Sequence, residues 1–298
     1  MQLPTYTDVQ APDQSPATAI GTLSDQARSV EPDRYLAALL APADAQPGLL
    51  ALAAFQAEIA RVPATVSDPM IGEIRLQWWR DTIAKVAKAE VSGHPVADAF
   101  GMAIRKHRLD LTMLHRLIDA RGFDLTGDFY ADDATLAIAY ADREGIAFSL
   151  ASQVLAGVPL PTDLAADAGL AYGLARSLGR LPERLHNGGF PVPETLLAEH
   201  GVTPGMLAER PFAAATVAGV DDAIASLEHQ AQAALAKVRM RLPELRPAQL
   251  WALSPLVMVE PYFRAQRRRG FRRLEQMAEV LPIVRVWRLG KARLRGRL

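Results

Sequence analysis

The sequence predicts an all-α fold, a single-domain helical bundle, and three observations carry that expectation. The 298 residues are half hydrophobic but only 6% aromatic; Ala and Leu dominate, and runs of Val, Ile or Thr that would favour strands are few. Apolar residues recur at helical spacing over most of the chain. Prolines and small polar or acidic residues stand just ahead of several of those segments, where helix N-termini prefer them.

Composition also excludes whole classes. There is no Cys, so disulfides, thiolate metal sites and a Cys nucleophile are out, and a reducing compartment fits. Basic and acidic residues both number 33, for a net charge of zero. No apolar run approaches the length of a bilayer span. Residues 1–27 hold neither Lys nor Arg and no apolar signal region, so neither a secretory signal nor a mitochondrial presequence is expected. With Pro4, Pro12 and Pro16, that segment reads as a disordered tail before a domain spanning 28–298. A glycine-rich phosphate loop, an HExxH helix and a GxSxG elbow are all missing, and the six histidines show no metal-ligand spacing.

The elements follow in order. A first helix starts at Pro32, carries Leu36, Leu39 and Leu40, and stops before Pro42. Gly48 to Val62 makes a second, strongly apolar helix ended by Pro63. Ser67 or Asp68 caps the third, with Pro69 in its first turn. In that helix Ile71, Ile74, Trp78 and Ile83 fall near one stripe beside Arg75 and Trp79, which predicts substantial burial along the stripe. Pro95 opens a helix carried through Ile104 to Ile118. From Ala134 a long helix passes Tyr140, Arg143 and Glu144 to Leu155, ended by Gly157 and Pro159. Leu164 to Leu178 is helical and leads into GRLPERLHNGGFPVP, Gly179 to Pro193. Ala223 to Met240 and Ala248 to Gln266 complete a bundle of about ten helices.

The segment 261–298 is basic, with twelve Lys and Arg against only Glu275 and Glu279. Val280, Leu281, Ile283, Val284, Trp287 and Leu289 give it an apolar side. It reads either as a dock for an anionic membrane surface or protein partner, or as a packed terminal helix with a solvated basic face. Nucleic acid is not expected, because no aromatic stacking platform interleaves the charges.

Several pieces in order are similar to one family. Arg34–Tyr35–Leu36, Ala51–Leu52–Ala53–Ala54–Phe55, GEIRLQWWRD at 72–81, His94–Pro95–Val96–Ala97, Leu117–Ile118–Asp119–Ala120–Arg121 with Asp124–Leu125, and Tyr140–Ala141 resemble the landmarks of the squalene/phytoene synthases. The Trp-Trp-Arg helix and the Leu-Ile-Asp-Ala-Arg block are closest to a branch related to a respiratory complex I assembly factor. The resemblance implies an isoprenoid-synthase bundle around a central cavity. In the family, two aspartate-rich helical segments facing that cavity hold Mg²⁺ ions that grip a diphosphate.

This chain departs from the family in both segments. The first aspartate pair falls on Ala60 and Arg61, leaving Glu58 as the acidic residue nearby. In the second, the three carboxylate positions are Arg180, Glu183 and Arg184, with Pro182 disrupting the helix that would aim them. A divalent ion about 5 Å from one arginine is repelled by roughly 6–7 kcal/mol at an effective dielectric of about 20. The metal site is therefore expected to be lost while the fold is kept. Arg176, Arg180 and Arg184 read as direct binders of a phosphate group or as solvated charges at a helix end. Glu58, Asp124, Tyr140, Arg143, Arg176 and Glu183 are the candidates for lining the cavity.

The expectation is a non-catalytic family member, without metal or cofactor, serving respiratory-complex assembly with a protein partner. Its expected place is cytoplasmic, peripheral at the inner membrane face. Two other readings stay open. One is a Mg²⁺-dependent prenyl transferase joining two farnesyl or geranylgeranyl diphosphates through displaced ligands Glu58, Asp124 and Glu183. The other is a binder of isoprenoid or lipid phosphate without turnover.

Overall fold

Side-chain caps mark several helix starts close to where proline and aspartate predict them. Asp68 accepts the Met70 backbone N–H at 2.9 Å ahead of Pro69. Asp110 accepts those of Thr112 and Met113, and Asp132 accepts that of Thr135. The computed structural model describes residues 16–127, 129–186 and 189–296, apart from the side chains of 16–20 and 22. Seventeen α-helices lie among the described residues. They are α1 (Pro16–Val30), α2 (Pro32–Leu39), α3 (Gln46–Arg61), α4 (Pro69–Ala87), α5 (Pro95–His107), α6 (Leu111–Asp119) and α7 (Phe123–Thr126). Next come α8 (Asp133–Tyr140), α9 (Ile146–Ala156), α10 (Thr162–Ser177), α11 (Leu181–His186), α12 (Glu194–Glu199) and α13 (Pro204–Ala208). The chain finishes with α14 (Ala214–Arg241), α15 (Pro247–Ala252), α16 (Val259–Gln266) and α17 (Pro282–Arg295). The only β pairing among the described residues is an isolated bridge between Phe129 and Phe190.

Two apolar cores form. One gathers the N-terminal helices around Phe55, Trp79, Phe100 and Leu117; the other gathers α10, α14 and α16 around Tyr172, Leu227 and Phe263. Helix α9 joins them, giving Ile146, Leu150 and Val154 to the first and Phe148 to the second. A π-helical turn, Ala141–Gly145, connects α8 to α9 and buries Arg143, Glu144 and Gly145. Glycine lets α10 lie directly on that turn. A Cβ at Gly169 would come within 2.5 Å of the Gly145 nitrogen and 2.6 Å of the Tyr140 carbonyl oxygen.

Several expectations need correction. Residues 1–15 of the expected tail lie outside the described residues, but 16–27 belong to α1, whose Leu23 and Ala27 are buried in the first core. The Trp-Trp helix faces inward with a stripe shifted from the expected one: Ile83 is buried as expected, together with Trp79, Leu76 and Val86, whereas Ile71, Ile74 and Trp78 are 47%, 64% and 42% exposed. Both stripes are apolar, and periodicity alone does not say which one meets α5 and α6. The helix expected from Pro95 to Ile118 breaks at Arg108, which takes a left-handed conformation (φ 52°) before Asp110 restarts the chain as α6. That expected over Ala248–Gln266 is interrupted at Leu253 and continues through a 3₁₀ segment, Ser254–Met258, into α16. Pro182 does not abolish its helix; it sits in the first turn of α11, where a proline loses no hydrogen bond.

Candidate functional site: a polar core held by arginines

Charged residues set inside apolar helices fold inward here because each finds a partner. Asp33 of α2 is fully buried. Its carboxylate accepts hydrogen bonds from the hydroxyls of Tyr172 (2.8 Å, α10) and Tyr262 (2.6 Å, α16) and from Arg285 (2.8 Å, α17). Next to it, Arg34 donates to Glu31 at 2.8 Å and to Glu144 at 2.6 Å, with its guanidinium about 5 Å from the ring centres of Phe148 and Tyr172. Arg176 of α10 closes this set with two 2.8 Å bonds to Glu31 and one to the Val30 carbonyl.

A fourth carboxylate, Asp124 of α7, collects three arginines. Arg184 donates to it at 2.7 Å, Arg143 stands 3.1 Å away and Arg121 3.9 Å away. Arg143 also donates to the Ala120 carbonyl at 3.0 Å, and Tyr140 shares a hydrogen bond with Ser177. Burial would raise the Asp124 carboxyl, but Arg143, Arg184 and Arg121 more than reverse that and hold it at about 2. Glu144 behaves alike: burial opposes the charge, and Arg34 and Arg176 pull it well below the usual carboxylate range. These six arginines outnumber the four carboxylates by two.

The sign of the pH dependence follows. A carboxyl whose folded pKa is depressed stabilises the protein above its unfolded pKa and loses that contribution as pH falls through the folded value. For Asp124 the window runs from about pH 4 down to about 2, and the contribution is about 2 kcal/mol. Thermal unfolding should hold nearly level from pH 7 to 5 and drop steeply below 4. The Asp124→Asn variant should show a shallower acid drop; an unchanged profile would remove Asp124 as its cause.

The sequence candidates divide. Asp124, Tyr140, Arg143, Arg176 and Arg184 do come together in or beside this core. Glu58 and Arg61 instead line an outer groove of about 320 Å³ with Thr65, Arg75, Trp78 and His94, and Ala60 is half-buried beside them on α3. Arg180 and Glu183 pair with each other at 2.6 Å on the surface, about half and two-fifths exposed. Arg176 and Arg184 are therefore neither solvated helix-end charges nor free phosphate ligands; both are committed to carboxylates. Glu31, Asp33, Arg34, Glu144, Tyr172, Tyr262 and Arg285 were not among the candidates, though Glu31–Pro32–Asp33–Arg34 and Asp142–Arg143–Glu144 are clusters of charge beside apolar helical residues. A small pocket lies between α2, α3, α9 and α15, lined by Arg34, Gln56, Phe148 and Trp251, with a volume of about 30 Å³. Small-molecule sites typically have some 300–1,000 Å³.

These residues do not fit a Mg²⁺ cluster. Among the described residues no three Asp, Glu or His side chains converge as metal ligands. Each inner carboxylate is already bonded to arginine, whose charge repels a cation.

The fold is that of the all-α isoprenoid synthases. The same architecture recurs in a squalene synthase, HpnC from Alicyclobacillus acidocaldarius (TM-score 0.66, 17% identity, 94% of each chain). It recurs too in a dehydrosqualene synthase solved with ligand (TM-score 0.74, 14% identity, 94% of this chain and 96% of that one). Residues 27–288 match the squalene/phytoene synthase family, and the chain belongs to it. Within the family it is similar to NADH dehydrogenase (ubiquinone) complex I, assembly factor 6. The Mus musculus protein is 31% identical over 172 residues, 57% of this chain and 52% of that protein. The Drosophila melanogaster homolog is 26% identical over 247 residues, 80% of this chain and 72% of that one. The chain thus spans about half the length of the mammalian relatives it matches.

Proposed function

We propose that this chain is a non-catalytic squalene/phytoene synthase family member that acts as an assembly factor for a respiratory NADH dehydrogenase. The observation that carries the proposal is the replacement of a metal-binding centre by ion pairs, above all Asp124 ringed by Arg121, Arg143 and Arg184. Similarity to the complex I assembly factors supports the role. The transferase reading would need Glu58, Asp124 and Glu183 together, and they lie in an outer groove, a buried arginine ring and a surface ion pair. Disruption of the gene in its source organism should reduce assembled NADH dehydrogenase on native gels. Purified protein given Mg²⁺ and farnesyl or geranylgeranyl diphosphate should release no pyrophosphate. Turnover abolished by Glu58→Gln or Glu183→Gln would establish the transferase reading instead.

The protein's working place, in this proposal, is an anionic membrane surface. No described helix is long and apolar enough to cross a membrane, but α17 turns Leu281, Ile283, Val286, Trp287 and Leu294 outward, 49–90% exposed. Of the apolar residues expected to form one side, Val280 and Leu289 turn inward instead. The protein should sediment with vesicles containing phosphatidylglycerol and not with phosphatidylcholine alone, and high salt should release it. Equal sedimentation with both, or with neither, would sink this placement.

A further inference from the structure

Beside α17 runs a groove of about 620 Å³. Arg288, Lys291 and Arg295 of α17 form one wall and Arg239 of α14 the other, over a floor of Leu256, Val257 and Ala292. None of the four cations has a carboxylate partner among the described residues. The one acid in the groove, Glu260, lies 3.6–3.7 Å from Arg264 and Arg267, so its charge is already shared.

Helix geometry relates this groove to the exposed apolar face. Ile283, Val286, Trp287, Gly290 and Leu294 recur at i, i+3, i+4, i+7 and i+11 and form the outward stripe. Arg288, Lys291 and Arg295 recur at i, i+3 and i+7, roughly 110° further round the helix at 100° per residue. A helix laid on a bilayer by its apolar stripe sinks roughly 5–10 Å into the headgroup boundary. Its flanking cations then stand at the level of the lipid phosphates, with the groove opening beside them.

We propose that this groove binds the headgroup of one anionic phospholipid, its phosphate held by Arg239, Arg288, Lys291 and Arg295. The first acyl carbons would lie on Leu256, Val257 and Ala292. A four-cation cluster over an apolar floor matches a group with anionic phosphate oxygens at one end and acyl chains at the other. The inference rests on the membrane placement above, and it turns a diffuse attraction into a site.

The test uses the full chain and three probes. These are phosphatidylcholine vesicles with and without phosphatidylglycerol, monomeric dihexanoyl phosphatidylglycerol, and inorganic phosphate. The wild type should bind the monomeric lipid saturably and inorganic phosphate much more weakly. The triple variant Arg288→Gln, Lys291→Gln, Arg295→Gln should lose that binding and fall roughly a hundredfold in affinity for anionic vesicles, about fivefold per cation. A charge-matched control, Arg268→Gln, Arg269→Gln, Arg272→Gln, removes exposed cations outside the groove and should keep the monomeric-lipid binding, with a loss on vesicles below about fivefold. Trp287→Ala should weaken vesicle binding and spare the short-chain lipid. Equal losses in the two triples, or no binding of the monomeric lipid, would overturn the site and leave charge attraction alone. Equal affinity for inorganic phosphate would overturn the lipid as its occupant. Monomeric lipid bound without any vesicle binding would defeat the membrane placement while the groove stood.

Discussion

Replacing Arg34 with Met is expected to destabilise the protein by about 3–5 kcal/mol, because it strands two carboxylates in the interior. Glu31 and Glu144 both depend on that guanidinium, and both are buried. Arg176 reaches Glu31 at 2.8 Å but Glu144 only at 4.0 Å, so it cannot neutralise both. The packing of the guanidinium between Phe148 and Tyr172 is lost as well. In a domain of this size the midpoint of thermal unfolding should fall by about 5–8 °C. Arg180→Gln offers the contrast. Its bond to Glu183 is as short as the Arg34–Glu144 bond, yet the pair is largely solvated, and its loss should cost under about 1 kcal/mol. A neutral Arg34→Met would mean the interior pairs are loosely held and water reaches them.

Gly169→Ala should also be damaging although it adds only one methyl group. In an exposed helix that change gains up to about 1 kcal/mol of propensity. Here the new carbon meets three backbone atoms, the nitrogen and Cα of Gly145 and the Tyr140 carbonyl oxygen, and backbone cannot swing aside as a side chain can. Helix α10 must back away from the π turn, which drags Arg176 from Glu31 and Tyr172 from Asp33. A net loss of about 1–3 kcal/mol is expected from chemical denaturation. Gly290→Ala in α17, where nothing lies within 4 Å of the added carbon, should be neutral or slightly stabilising. Equal effects from the two would show that α10 does not need its close approach.

The contrast between those two glycines also shows what a sequence conveys. Helix positions were legible because Asp68–Pro69 and Pro95 act locally, within a turn of where they stand. Which side of α4 is buried was not, since Ile71–Ile74–Trp78 and Leu76–Trp79–Val86 are equally apolar and the choice belongs to distant partners. The candidate site was half legible. Asp124, Tyr140, Arg143, Arg176 and Arg184 stood out through resemblance to a family. Their pairing did not, because it joins residues far apart in the chain, Arg184 to Asp124 across 60 positions and Arg176 to Glu31 across 145. Glu58 and Glu183 are acidic residues near the family's motif positions, but Glu58 lines an outer groove and Glu183 pairs with Arg180 on the surface.

Asp33 binds Tyr172, Tyr262 and Arg285, which follow it by 139, 229 and 252 positions. On the ribosome, where chains grow at about 5–20 residues per second, the last of these partners is made some 10–50 s after Asp33 itself. Through that interval α2 carries a carboxylate that the interior will not accept, so the first-made helices cannot close fully around it. A nascent chain released before residue 285 keeps that acid wet and its early helices loose, open to proteases. One buried aspartate thereby makes closure of the first-made helices wait for a residue 252 positions further along the chain.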